Sequence, residues 1–133
     1  MFKLHSMLAA DTVELTRWDL CLVLLMKDMN YPWLILVPER PDLRNLHDLD
    51  GTDHATLMAE ITRASRALED IHSPDKMNVA ALGNVVSQLH VHVVARFHSD
   101  AAWPSPIWNV APTLPYGTED LKQTVETLRA ALG

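Results

Sequence analysis

Cysteine is almost missing from this 133-residue chain: Cys21 stands alone, which rules out an intrachain disulfide. A lone thiol fits a reducing compartment, and its place in an apolar run gives it the part of a small buried hydrophobe. Long apolar stretches are missing too. No segment approaches the ~20 residues that a membrane helix needs, and Met1–Ser6 lacks the sustained apolar core of a signal peptide, so a cytoplasmic protein is expected. Positive charge is in deficit, with 11 Lys and Arg against 17 Asp and Glu and a net charge of −6. This argues against bulk nucleic-acid binding, whose affinity rests on Lys and Arg at phosphates. It leaves room for one nucleotide in a local pocket. Repeats, low-complexity tracts and linkers are absent, so a single domain over 1–133 is expected. At 48% hydrophobic and 21% charged residues the composition is that of an ordinary globular protein.

What is present reads as an antiparallel α+β domain. Thr12–Thr16 alternates as a short strand would. Leu20–Met26 is a continuous apolar run, consistent with a strand buried on both faces. Turn formers over 27–32 separate it from a second run, Trp33–Val37, and the pair predicts an antiparallel hairpin. After a loop, Thr52 or Asp53 is placed to cap a helix in which Leu57, Met58, Ile61, Ala64, Ser65, Leu68 and Ile71 recur at helical spacing. That helix ends before Pro74. Met77–Leu82 is a third strand candidate besides the short one, and Arg96–Tyr116 is a loop rich in proline with Trp103 and Trp108. Thr118 then caps a last helix with Leu121, Val125, Leu128 and Leu132 on one stripe.

The chemistry concentrates in Ser87–Arg96. Leu89, Val91 and Val93 alternate with Gln88, His90 and His92, so a strand here would present two imidazoles and an amide on one face. Successive members of that row would lie about 6.5–7 Å apart along the strand. Histidines in strands are usually structural, but polar groups at core positions need partners and tend to mark sites. Two functional readings fit. His90 and His92 could be metal ligands, with His98 or Asp100 as a third, although Arg96 beside them disfavours a cation. Alternatively one imidazole attacks phosphorus while the other donates to phosphate oxygens, which suits histidine because its neutral form is abundant near pH 7. Gln88 could orient an imidazole or bind phosphate without adding charge.

Gln88-Leu89-His90-Val91-His92-Val93-Val94 resembles the histidine-triad (HIT) motif, His-φ-His-φ-His-φ-φ, with glutamine in place of the first histidine. Upstream, Asn78 and then Gly83-Asn84 are similar to that family's Asn followed by Gly-Gln, and the order hairpin, Leu46-His47-Asp48-Leu49, long helix also matches. The likeness covers roughly 20–96. Trp103-Pro104 to Trp108 resembles bacterial members that share the glutamine-first form.

The resemblance implies a HIT-like α+β fold: an antiparallel sheet of about five strands, a long helix and a C-terminal helix. It implies a nucleotide hydrolase or transferase that cleaves phosphoanhydride or phosphoramidate bonds, with dinucleoside polyphosphates as substrates. His90 would be the nucleophile that forms a nucleotidyl-histidine, and His92 a donor to the phosphate or leaving group. The carbonyl of Gln88 or a neighbour would hold the other ring nitrogen of His90, while the Gln88 side chain keeps an orienting role without acid–base capacity. Asn78, Gly83, Asn84 and Arg96 would serve the nucleotide and its phosphates. No metal is required by this mechanism, with Mg2+ accompanying the substrate in some relatives. A homodimer with a sheet continued across two subunits is implied as well. A non-catalytic nucleotide-binding protein of the same fold is the alternative. The family's ribose-binding residue falls about at Leu25-Met26, with Lys27, Asp28 or Asn30 as substitutes. Leu22, Leu24 and Leu36 read as core. His5, His47, His54 and His72 read as incidental.

Overall fold

A computed structural model describes residues 1–133. Five strands form one antiparallel sheet: β1 (Thr12–Arg17), β2 (Cys21–Met26), β3 (Trp33–Pro38), β4 (Lys76–Ala80) and β5 (Val91–Arg96), in the order β1-β2-β3-β5-β4. Three helices accompany it: α1 (Ser6–Asp11), α2 (Gly51–His72) and α3 (Thr118–Leu132). None of them is long and apolar enough to cross a membrane.

The continuous apolar runs of β2 and β3 arise because both faces of the sheet are covered. One face carries Val23, Leu25, Leu34, Leu36, Val91, Val93 and Ala95, and packs on Leu57, Ala64 and Leu68 of α2 and on Val125, Leu128 and Leu132 of α3. The other face carries Leu22, Leu24, Trp33, Ile35, Val37 and Val94, and is closed by Leu8 of α1, by Phe2 and Leu4, and by Ala102, Ile107 and Trp108 of the loop after β5. Leu22, Leu24 and Leu36 are therefore core residues, as expected, and so is Cys21.

Several local details differ from the sequence expectation. The cap of α2 is Asp50, whose carboxylate accepts from the Asp53 backbone N–H, because the helix begins one turn earlier than the apolar stripe suggests. At α3 the cap position is Gly117 and Thr118 is already helical, with no side-chain cap. Met58 is 63% exposed, whereas Glu60 lies on the buried stripe and accepts from the backbone N–H groups of Leu20 and Cys21. A carboxylate on the core face thus fastens α2 to the start of β2. Helix α1 was not expected. It has only six residues, too few to show a period, and the His5 ring accepts from the Met7 backbone N–H to cap it.

The most consequential difference concerns Arg96. Its guanidinium is 1% exposed and bonded to both carboxylate oxygens of Asp100 at 2.8 and 3.1 Å, to Asn78 Oδ1 at 2.7 Å and to the Ser105 carbonyl at 2.8 Å. Asp100 in turn accepts from the backbone N–H groups of Phe97, Ala102 and Trp103. Burial alone would raise the Asp100 carboxyl, but Arg96 and these three N–H groups outweigh it and hold it at about 2. This pair folds the loop after β5 back onto the sheet. Losing one partner would strand the other charge in the interior, which typically costs about 3–5 kcal/mol. The expected phosphate contact of Arg96 is corrected accordingly: its guanidinium is engaged inside the protein, with Asn78 Oδ1 as one of its acceptors.

Candidate functional site

Strand β5 begins at Val91, later than expected, so Gln88, Leu89 and His90 form a lead-in just before the ladder. The Leu89 N–H still donates to the Leu43 carbonyl, which ties this lead-in to the segment after β3. The parity expected from the sequence is kept. Leu89, Val91 and Val93 point to the helices, and His90 and His92 share the opposite side, both nearly buried at 7% and 6% exposure. Their rings meet edge to face with centroids 5.0 Å apart.

Each imidazole has one nitrogen committed, and the partners are of opposite kind. His90 Nδ1 lies 2.6 Å from the Gln88 carbonyl oxygen. A carbonyl only accepts, so this nitrogen carries the proton, and Nε2 of the neutral ring keeps its lone pair. His92 Nδ1 lies 3.0 Å from Trp33 Nε1. An indole only donates, so here Nδ1 is the bare nitrogen, and the proton of the neutral ring sits on Nε2. Burial, and secondarily the neighbouring His90, push the His92 pKa down to about 4. One strand face thus holds an unprotonated Nε2 beside a protonated one. Trp108 closes over His92 edge-on at 5.0 Å, and Trp33 meets Trp108 at 6.2 Å.

His90 lines a cavity of about 250 Å³ together with Arg44, Asn45, Leu46, His47, Gly83 and Gln88, among others. Gly83 has φ +75, a conformation that other residues adopt only with strain, so the turn between β4 and the lead-in depends on it. Asn84 is exposed and does not line this cavity. The side chain of Gln88 hydrogen-bonds to neither imidazole. Its Oε1 accepts from the His5 backbone N–H at 2.8 Å, and its Nε2 donates to the Lys3 carbonyl at 2.8 Å. The orienting role expected of this residue is performed by its backbone carbonyl, while its side chain fastens the segment before α1. His5, read as incidental, is part of that attachment.

Other expectations resolve similarly. Asp28 is buried and accepts from the backbone N–H groups of Asn30 and Leu114 and from the Asn30 side chain, so it joins the hairpin turn to the loop before α3. It is not displayed for a ribose. Neither candidate third metal ligand stands with the two histidines: Asp100 is taken by Arg96, and His98 is exposed against Trp103. Trp33 was missed as a site residue. Its side of the sheet could be read only from the pairing of β3 with β5, where it stands opposite Val94, two residues from His92.

Comparison with known proteins decides the family. The HIT domain model matches residues 9–99. The chain belongs to the HIT domain family. The HIT chain superposes on a histidine triad protein from Bradyrhizobium japonicum with a TM-score of 0.96 at 48% identity, covering 99% of this chain and 98% of that one. A histidine triad protein from Marinobacter aquaeolei gives 0.96 at 42% identity, covering 99% and 96%. An AP-4-A phosphorylase of Mycobacterium tuberculosis is 36% identical over an alignment that covers 53% of this chain and 41% of that protein. The chain therefore spans about two fifths of that curated relative.

The depressed His92 pKa has a thermodynamic consequence. Below about pH 6.5 the unfolded chain takes up a proton at this histidine that the folded protein refuses. The stability is whole above 6.5 and falls as pH drops toward 4, by on the order of 3 kcal/mol. Urea denaturation at pH 7 and pH 4.5 should show this loss in the wild type and a clearly smaller one in His92→Asn. Equal losses in the two proteins would mean that His92 is not held neutral.

Proposed function

We propose that this HIT protein is a nucleotidyl hydrolase or transferase acting on phosphoanhydride or phosphoramidate bonds of nucleotides. The observation that carries this reading is the pair of opposed tautomers on one strand face. His90 Nε2, with its lone pair free because Gln88 takes Nδ1–H, attacks the phosphorus bonded to the nucleoside. A P–N bond forms, the bond from phosphorus to the leaving oxygen or nitrogen breaks, and the leaving group departs with the electron pair, a leaving amine taking its proton from solvent. His92, its Nε2–H fixed by the Trp33 donor, hydrogen-bonds the negative charge growing on the phosphoryl or leaving oxygen. It does so as a neutral donor. In the second half-reaction, water or another acceptor attacks the same phosphorus and returns the electron pair of the P–N bond to Nε2. The name of the mycobacterial relative, AP-4-A phosphorylase, supports a dinucleoside polyphosphate as substrate and phosphate as one such acceptor.

One observation favours a second reading, a nucleotide-binding protein without turnover. Gln88 lends no side chain to the reacting groups and serves the segment before α1 instead. A homodimer is the assembly we favour. Strand β4 is one of the two edges of the sheet, and Val79, Leu82 and Val85 on and beyond it are 47%, 48% and 82% exposed. Light scattering should give twice the 14.9 kDa chain mass, and a monomer mass would remove this part of the reading.

Catalysis is tested by trapping. Diadenosine tetraphosphate labelled at the phosphorus next to adenosine should leave acid-labile, alkali-stable label on wild type and none on His90→Ala. His92→Asn should slow turnover by about 10²-fold or more, the scale of losing one donor to a developing oxyanion. Tight nucleotide binding with neither label nor turnover would favour the non-catalytic reading.

A further inference from the structure

Two cavities meet at Gln88. The one lined by His90 has a neighbour of about 390 Å³, and Gln88 and Arg44 line both. The larger cavity is walled on one side by Met1, Phe2, Lys3 and His5, the segment that the Gln88 side chain holds in place through the Lys3 carbonyl and the His5 N–H. Without that double hydrogen bond this wall would have no polar attachment to the strand lead-in.

The charge around the junction runs against that of the whole molecule. The chain is net −6, yet no Asp or Glu lines the His90 cavity, where Arg44 and His47 stand. The charged and titratable groups of the larger cavity are Lys3, His5, Arg40, Asp42 and Arg44. Arg40 is neutralised by a two-pronged ion pair with Asp53. Lys3 and Arg44 make no direct ion pair, although the Asp48 carboxylate accepts from the Arg44 backbone N–H and feels its charge. After Arg40 is set against Asp53, the balance of this cavity is two cations against the one carboxylate of Asp42. An acidic protein thus places two cations without a direct ion pair, Arg44 on both cavities and Lys3 on the larger one.

We propose that the larger cavity is a leaving-group subsite for a chain of phosphates. It rests on the nucleotidyl-transfer reading of His90. The phosphates beyond the attacked phosphorus run from the His90 cavity past the Gln88 side chain, with Arg44 at the junction and Lys3 further out as their counter-charges. Guanidinium and ammonium groups suit this task because each donates several charge-assisted hydrogen bonds to phosphate oxygens. Glutamine at the first triad position is then the clamp that builds the subsite wall. The subsite selects polyphosphate leaving groups over uncharged ones.

The test compares diadenosine tetraphosphate with an AMP phosphoramidate of an uncharged amine, using the full chain and the Lys3→Ala variant, because Arg44 also lines the His90 cavity. The expected result is a fall of at least tenfold in kcat/KM for the polyphosphate and less than twofold for the phosphoramidate. An equal fall for both substrates, or none for either, overturns the subsite. Calorimetric binding of inorganic tripolyphosphate, with AMP as control, separates this inference from the reaction assignment. Tripolyphosphate affinity lost at least tenfold in the variant, with AMP binding intact, sustains the subsite even if no substrate is turned over. Tripolyphosphate affinity unchanged by the Lys3 substitution refutes it whatever the activity.

Discussion

The hydrogen bond between His90 Nδ1 and the Gln88 carbonyl, at 2.6 Å, is the constraint on which the site depends. It forms because the strand ladder starts only at Val91, which leaves the preceding backbone free to turn its carbonyl toward the ring. Main-chain acceptors cannot be protonated and cannot reverse roles, so the tautomer is fixed by covalent chemistry. The indole of Trp33 applies the same logic with opposite sign to His92. Two chemically identical side chains, two residues apart, are thereby given different tasks.

Keeping two imidazoles on a nearly buried face requires a lid over that face. The loop after β5 provides it, and the Arg96–Asp100 pair holds the loop down through bonds that use both carboxylate oxygens and three backbone N–H groups. Trp108, carried on that loop, then covers His92, and the low dielectric it helps create keeps this histidine neutral. On the other side of His90, Gln88 fastens the segment before α1. Burial, tautomer and access to the site are therefore linked through a few polar contacts rather than through the apolar core alone.

Much of the fold was legible in the sequence. The strands show as apolar runs or alternation, the long helix as a 3.6-residue period, and the histidine pair as a polar row on a core-grade strand. The match of Gln88–Val94 to the triad motif supplied the family. What escaped the sequence was side-chain pairing across distant segments. Arg96 could be read as a phosphate ligand, because nothing local shows that Asp100, four residues on, turns back to it. Trp33 becomes a site residue only once β3 is placed beside β5. Gln88 reads as a weakened histidine until Lys3 and His5 arrive from more than 80 residues away. Helix α1 is too short for periodicity to detect.

The central claim is that His90 and His92 are held as opposite neutral tautomers. Long-range 1H–15N correlation spectra of histidine-labelled protein near pH 7.5, assigned with single His substitutions, measure this directly. His90 should show a protonated Nδ1 with a pyridine-like Nε2, and His92 a pyridine-like Nδ1 with a protonated Nε2, the His92 pattern changing in Trp33→Phe. The same tautomer on both rings, or averaged shifts at either one, would contradict the account.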